Sequence, residues 1–379
     1  MTRSLFDVMD APVEEVVEAP ALEQPPQTPA IDVIERLEPS TESSEGIHYT
    51  LTPESADGIY TRDQIIDAAF HWFRANGFPY VQMSTHEMMQ QINRLALTPD
   101  SALAHTTEAY RVADAFHPHR FHGVVKGKHT PVECFHDDEK LRQALVLVVG
   151  DDGRIPSTYF TQLGLARGSQ ACANFRPGFA CLMYRRFCTR GDETVFDTST
   201  GYGGRLVGWI ASKSRGRYIG IDPSTKTHAG NRVLAEALGV SDRVELHNIP
   251  AEDVPHAIVE GRCDFAFTSP PYFTKEHYCD EPTQSWKRYS DFTMWCDYFL
   301  VPMLMLNYVA LKPGCVAAIN IADVKIDDEQ KALVERTIRY ATRIGFQHVG
   351  TDRFDLTSRL GANQAVEVAV EQVLVFKKP

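Results

Sequence analysis

Three things are scarce in this chain of 379 residues, and each narrows what it can be. Cysteine is the first: eight residues, at positions 134, 172, 181, 188, 263, 279, 296 and 315, with no CxxC pair among them. That scatter fits neither a disulfide framework nor a zinc ribbon, and it suits reduced thiols in a cytoplasmic setting. Long apolar runs are the second. The most hydrophobic stretch, Tyr298 to Leu311, is interrupted by Pro302 and Asn307 and is too short to cross a bilayer. No basic-then-apolar leader opens the sequence, so a soluble protein with no membrane partner is expected. Positive charge is the third: 38 Lys and Arg stand against 50 Asp and Glu, a net charge of −12.

That deficit would argue against a nucleic-acid partner if it were evenly spread. It is not. Residues 1–57 hold thirteen acidic and two basic residues, a balance of −11, which leaves only −1 of the total −12 for residues 58–379. The acidic segment is rich in Pro, Glu and Ser (APVEEVVEAPALEQPPQTPA) and buries too little apolar surface to offset its ordering entropy, so a disordered tail is expected over 1–57. The remainder is close to neutral, with room for local basic patches.

From Thr61 the pattern turns helical. TRDQIIDAAFHWFRANG sets Ile65, Ile66, Ala69, Phe70 and Phe73 on one stripe closed by Gly77, and STHEMMQQINRLAL opens with a Ser84 or Thr85 cap and Glu87 close behind. Residues 116–136 read as a basic, histidine-rich loop. His117, His119, His122, Cys134 and His136 match no zinc spacing, so no metal is expected. Arg120, Lys126 and Lys128 there are candidate phosphate contacts, with an ordinary exposed loop as the alternative. LRQALVLVVGDDGRI reads as a helix end or a strand before a DDG turn.

After Asp192 the rhythm becomes strand, loop, helix, strand. TVFD, RYIGID, RVELHN, DFAFT, CVAAINIA, FQHVGTDRF and EVAVEQVLVFKK read as strands, with helices over RLVGWIAS, KTHAGNRVLAEALG, about 291–311 and DEQKALVERTIRYATRIG, and a turn at LKPG. Continuous apolar strands alternating with helices imply an α/β fold with a mostly parallel sheet covered on both faces, its last two strands pairing as an antiparallel hairpin. Three regions are therefore expected: the tail over 1–57, a mainly helical amino-terminal region over 58–172, and a catalytic domain over 173–379.

Two constellations in the last region carry chemistry. FDTSTGYGGR places glycines where the first strand meets the first helix, which lets a backbone approach a ligand and favours a carboxylate at the helix N-terminus. A dinucleotide fingerprint would want glycine at 201, 203 and 206, but position 206 is Leu. The next strand ends in Asp222, where a carboxylate can accept from ribose hydroxyls. A nucleoside with a carboxylate tail such as S-adenosylmethionine fits better than a pyrophosphate, with a purely geometric glycine turn as the alternative. Asp253, after the third strand, would extend the pocket toward adenine, or simply cap a helix.

The second constellation is TSPPYF, a rigid corner on the end of DFAFT. An exocyclic amino group on cytosine or adenine is a poor nucleophile because its lone pair is delocalised. A hydroxyl and a fixed backbone carbonyl can accept its two hydrogens and turn that lone pair out of the ring plane, while an aromatic ring offers a stacking face for an extruded base. If TVFD and DFAFT are neighbouring strands, the two loops face each other across the switch point of the sheet.

The combination of FDTSTGYGG, IGID and TSPPY resembles the amino-methylating DNA methyltransferases, over residues 174–376. The resemblance implies a Rossmann-like methyltransferase fold of seven strands and S-adenosyl-L-methionine as cofactor. It implies Asp197, Thr198, Ser199, Gly201, Gly203 and Asp222, with Asp253, as cofactor residues, and Ser269, Pro270, Pro271 and Tyr272 as catalytic ones. NFRPGFACLMYRRFCTRGD looks like the helix preceding the glycine loop in that family. The family more often shows Pro-Phe before the glycines, where Thr198 and Ser199 stand here. Serine at the head of the corner is typical of members acting on cytosine N4, while aspartate or asparagine is more usual for adenine N6. Carbon-5 methylation needs a thiolate nucleophile, which the corner lacks.

Beyond the corner, Phe273, Lys275, Lys287 and Arg288 lie in a polar loop that suits a lid over a nucleic-acid strand, and Arg359 between the final strands could join the same rim. Double-stranded DNA with one base flipped out is thus the expected partner, read by residues 58–170, and a companion restriction nuclease would be in keeping with it. An RNA base amino-methyltransferase and a catalytically silent nucleic-acid-binding regulator are the competing readings.

Overall fold

The computed structural model describes residues 39–43, 46–50, 62–149, 154–155, 165, 168–355 and 370–379. In chain order the amino-terminal part contains β1 (Pro39–Ser43), β2 (Gly46–Thr50), helices α1 (Arg62–Asn76), α2 (Thr85–Leu97) and α3 (Tyr110–Phe116), β3 (Val124–Val125), helices α4 (Pro131–His136) and α5 (Asp138–Val148), and β4 (Arg154–Ile155). Local signals set these helix starts. Ser84 Oγ accepts from Glu87 N while the Glu87 carboxylate accepts from Ser84 N, a reciprocal cap that STHE predicts. Thr130 and Glu133 form the same box at the start of α4, inside the stretch expected to be loop throughout.

The tail expected over 1–57 gives way to structure near its end. β1 and β2 pair antiparallel, and β2 also pairs with β4. Ile47 and Tyr49 suit a pleated strand better than a solvated leader. Residues 1–38 of that segment, and the DDG turn at 151–153, lie outside the described residues.

The rest of the chain supplies α6 (Pro177–Phe187), β5 (Val195–Asp197), α7 (Gly204–Ala211), β6 (Tyr218–Ile221), α8 (Thr225–Ala237), β7 (Val244–His247), β8 (Cys263–Thr268), β9 (Glu276–His277), α9 (Val301–Ala310), β10 (Leu311–Asn320), β11 (Val324–Ile326), β12 (Glu329–Lys331), α10 (Leu333–Ile344), β13 (Gln347–Asp355) and β14 (Val370–Lys377). A seven-stranded sheet runs in the order β13-β14-β10-β8-β5-β6-β7. Its members from β10 to β7 are parallel, and β14 runs antiparallel to both β10 and β13. This is the expected Rossmann-like architecture with its carboxyl-terminal hairpin. β5 pairs with β6 on one side and β8 on the other, Val195 opposite Tyr218 and Phe265, so the order of connection reverses beside β5.

One face of the sheet buries Phe265 and Phe267 under Tyr184 of α6 and Trp209 of α7. The other buries Ala266, Ala317 and Ile319 under Met303, Leu304 and Leu306 of α9. The first layer also contains Met88, Ile92 and Leu95 of α2 and Val112 and Ala113 of α3. Residues 85–116 therefore share a core with the main sheet, and the boundary expected at 172 does not separate two cores. A smaller core joins Ile66, Phe70 and Phe73 of α1 to Phe135, Leu141 and Leu145.

Three expected elements take a different form. The helix expected over 291–311 is a short turn, Phe292–Trp295, a π-helical turn, Cys296–Leu300, and then α9. Pro302 lacks an N–H to give the helix, and a widened turn just before it accommodates that gap. LKPG is the start of β10, whose register against β8 shifts between Leu311 and Val316. The helix expected from residue 328 begins at Leu333, because residues 324–331 form the β11–β12 hairpin. Asp327 and Asp328 turn it at φ 51° and 63°, a left-handed pair that aspartate tolerates.

Candidate active site

The glycine loop leaves the carboxyl end of β5 and is tied down at almost every residue. Asp197 is fully buried. Its carboxylate accepts from Arg205 Nε at 2.7 Å, Tyr218 OH at 2.7 Å and Ser199 N at 3.1 Å. The expected role of Asp197 as a direct ligand contact therefore becomes an internal one: it is a strut under the loop, and the Arg205 guanidinium also donates to Ser199 O. Thr198 is buried, with Oγ1 accepting from Asn307 Nδ2 at 3.3 Å. Thr200 donates through N and Oγ1 to Ile221 O at 2.8 and 2.9 Å, joining the loop to the end of β6.

Gly201 and Gly203 both have positive φ, 58° and 78°. A Cβ built on Gly203 would lie 2.7 Å from Asn231 Oδ1, whereas one on Gly201 would meet nothing closer than Ser199 O at 3.7 Å. Gly201 is thus the less crowded of the two, with only ordinary van der Waals contact where a side chain would stand, while its N–H is held by Asp222 and its carbonyl by Asn231. The close approach expected of a third fingerprint glycine is met at Gly204 instead, where a Cβ would sit 1.9 Å from Phe175 O. Leu206 is left free to fill the core.

Asp222, at the end of β6, is half-buried and holds the loop from the other side. Its Oδ2 accepts from Gly201 N at 2.8 Å and its Oδ1 from Ser224 N at 2.9 Å. Burial pushes its carboxyl up to about 6, and those two N–H groups oppose the shift. Asp253 is exposed, and its carboxylate is taken by Arg288 in a bidentate pair at 2.7 and 3.0 Å. A candidate for adenine and a candidate for nucleic acid are thus bound to each other.

The corner leaves β8, the strand paired with β5 through Phe196 and Ala266. The glycine loop and Ser269–Tyr272 therefore emerge from the same end of adjacent parallel strands, about 5 Å apart by ordinary strand spacing. Pro270 is buried, and Ser269, Pro271 and Tyr272 are half-buried. Phe273 follows with φ 55°, an uncommon conformation for a bulky residue and a sign of a constrained backbone. Its ring is 6% exposed and packs on Phe292 and Trp295 at centroid distances of 5.3 and 5.9 Å. Phe273 is a core anchor of the corner, which corrects the expectation that it touches nucleic acid.

Sequence reasoning missed Asn320. It ends β10, the strand beside β8, with Ile319 opposite Thr268. Its Nδ2 donates to Ser269 Oγ and to Tyr272 OH, both at 3.1 Å. The available signal was a single amide closing the apolar run CVAAIN, at the carboxyl end of a strand.

The loop beyond the corner is pinned to the segment after β6. β9 pairs with β3, and Glu276 accepts from Ala173 N at 2.8 Å. Thr283 Oγ1 donates to Pro223 O at 3.1 Å, and the Glu281 carboxylate accepts from Thr225 N at 3.0 Å at the start of α8. His277 and Trp286 stack at 3.9 Å. These contacts lay the loop across the end of β6, beside Asp222.

The basic candidates divide. Arg120 is 7% exposed and forked onto Asp114 at 2.8 and 2.5 Å, with a further bond to Cys172 O. It joins the amino-terminal region to the segment before α6 and is not available to a phosphate, because burying an arginine demands a partner. Lys126 reaches Asp327 at 2.5 Å and Lys287 reaches Asp280 at 3.2 Å, both pairs exposed. Lys128 and Lys275 are exposed. Arg359 lies outside the described residues. The neighbouring histidines pack on the glycine loop: His117 and His119 lie 5.9 and 5.4 Å from the Tyr202 ring, and burial lowers His119 to about 3.

No protein-family model matches the chain. A comparison with curated proteins finds no match. Among solved structures it is similar to TrmN from Thermus thermophilus, at 17% identity and a TM-score of 0.39 over 54% of this chain, and it spans 49% of that protein's length. It is similar to a SAM-dependent O-methyltransferase from Thermotoga maritima, at 12% identity and a TM-score of 0.37 over 55% of this chain and 68% of that one. It is also similar to the tRNA (m1A58) methyltransferase TrmI from Aquifex aeolicus, at 12% identity and a TM-score of 0.36 over 55% of this chain and 71% of that one.

Proposed function

We propose that the protein transfers a methyl group from S-adenosylmethionine to the exocyclic amino group of a base flipped out of DNA, with cytosine N4 favoured over adenine N6. The observation that supports this reading best is the pairing of β5 with β8, which sets the glycine loop and the Ser-Pro-Pro-Tyr corner side by side at one end of the sheet.

The residues present suit such a donor. Gly201 has no side chain to keep a ligand off the loop, and Asp222 keeps lone pairs beyond the two N–H groups it already holds, which a ribose can use. The donor supplies an electrophilic methyl carried on a sulfonium. Everything else falls to the chain: Ser269 and a corner carbonyl accept the amino hydrogens, and the half-buried Tyr272 offers a ring face to the extruded base.

The test is nucleoside mass spectrometry of DNA from cells expressing the protein, with sequencing to map the modified sites. N4-methylcytosine supports the full reading, and N6-methyladenine moves it to the other base. Unmodified DNA beside methylated RNA would overturn the assignment to DNA.

A further inference from the structure

Asn320 is 2% exposed, and its Oδ1 has no hydrogen-bond partner among the described residues. Its Nδ2 hydrogens both go to hydroxyls, Ser269 Oγ and Tyr272 OH. Hydroxyls can donate as well as accept, so the direction of these bonds needs an independent argument. Tyr272 provides it, because its OH donates to the backbone carbonyl of Asn320 at 3.4 Å. A phenol has one hydrogen. With that hydrogen committed, the side-chain atom of Asn320 facing the Tyr272 oxygen must be the donor, Nδ2. The same amide group then also donates to Ser269.

The consequence falls on Ser269. One of its two lone pairs is taken by Asn320, and this is its only side-chain hydrogen bond among the described residues. What remains is one lone pair and one O–H, a donor and an acceptor on the same atom. The base edge that matches such an atom carries an amino hydrogen beside a bare ring nitrogen. Cytosine offers N4–H beside N3, and adenine N6–H beside N1. Thymine and uracil offer a carbonyl beside an N–H, which the same hydroxyl could meet with its two roles exchanged, but they have no amino group to methylate.

Resting on the amino-methyl transfer proposed above, we propose that Asn320 is a positioning residue that, by donating to Ser269, keeps the Ser269 hydrogen for the unprotonated ring nitrogen beside the target amino group. Ser269 then reads two atoms of the target, accepting from the amino group and donating to the ring.

The test uses the full chain, radiolabelled S-adenosylmethionine and duplex oligonucleotides carrying the mapped site. One duplex has the normal target base, and the other has its deaza analogue (3-deazacytosine or 1-deazaadenine), in which the ring nitrogen is a C–H. The wild-type protein should methylate the deaza duplex about tenfold more slowly, the value of one hydrogen bond. Asn320→Ala should lower kcat on the normal duplex by about tenfold, leave donor affinity within about twofold, and erase most of the difference between the duplexes. Asn320→Asp keeps the shape of the side chain, but its carboxylate accepts the Ser269 hydrogen, so it too should lose the discrimination; it serves if the alanine variant does not fold. Equal wild-type rates on the two duplexes would overturn the proposal. So would an unchanged rate ratio in both variants. A wild-type protein that binds the donor but methylates neither duplex would instead overturn the transferase reading, and this proposal with it.

Discussion

On the proposed reading, Asp222 and Ser269 divide the work of the site at the scale of single residues. Asp222 braces the glycine loop through Gly201 N and Ser224 N, yet burial raises its carboxyl from 3.8 to about 6. A raised acid binds more protons folded than unfolded, so its contribution to stability is full below pH 3.8 and is lost as pH rises through about 6. Donor binding should run the other way, because ribose hydroxyls and backbone N–H groups all need the ionised form. Calorimetric titration with S-adenosylmethionine from pH 5 to 8 should therefore show affinity rising through about pH 6, and Asp222→Asn should bind weakly with no such rise. A rise that persists in Asp222→Asn would place the titrating group elsewhere. Ser269→Ala should do the opposite: it should slow transfer by tens-fold or more, on the order of 2–3 kcal/mol of barrier, while donor affinity barely moves. Loss of donor affinity in that variant would contradict this division.

At the scale of elements, the glycine loop works because two helices touch almost backbone to backbone. A Cβ on Gly204 would lie 1.9 Å from Phe175 O, and one on Gly208 would lie 2.6 Å from Pro177 O and 2.5 Å from Ala180 Cβ. Neither carbonyl can swing aside as a side-chain end could. Gly204→Ala should thus cost about 1–3 kcal/mol in urea unfolding, and a variant as stable as the parent would show that α6 can retreat. Elements of this kind differ in how plainly the sequence announces them. Helix starts were legible because Ser84 and Glu87 satisfy each other locally, and the strands because their apolar runs are buried on both faces. The corner was legible because its chemistry sits in four consecutive residues. The π-helical turn at Cys296–Leu300 was not, since the apolar run that marks the helix continues across it, nor was the β11–β12 hairpin, whose three-residue strands are too short to show an alternation. Asn320 was hidden by distance: one amide in a strand gains meaning only when the sheet sets it beside Ser269, 51 residues away.

The whole molecule turns on how the amino-terminal helices are used. Periodicity shows that a helix has a buried face but not which core receives it, so residues 58–172 read as a separate recognition domain. Leu95 and Leu103 are fully buried in the same cluster as Trp209 and Tyr184, and the buried Arg120–Asp114 pair ties that region to the segment before α6. A chain beginning at residue 173 would expose that apolar face of α6 and α7. On the proposed reading, recognition by this region could then not be cut away from catalysis, while Phe73 and Phe135 pack in a smaller core of their own. Leu95→Ala tests this directly. If α2 belongs to the main core, the truncation should cost about 2–5 kcal/mol and lower the stability of the whole unit. Urea unfolding followed by tryptophan fluorescence and by loss of donor binding should then give one coincident transition, shifted as a unit. Two separated transitions, with donor binding outlasting the loss of the amino-terminal helices, would show that the helices fold apart from the sheet and that recognition can be detached after all.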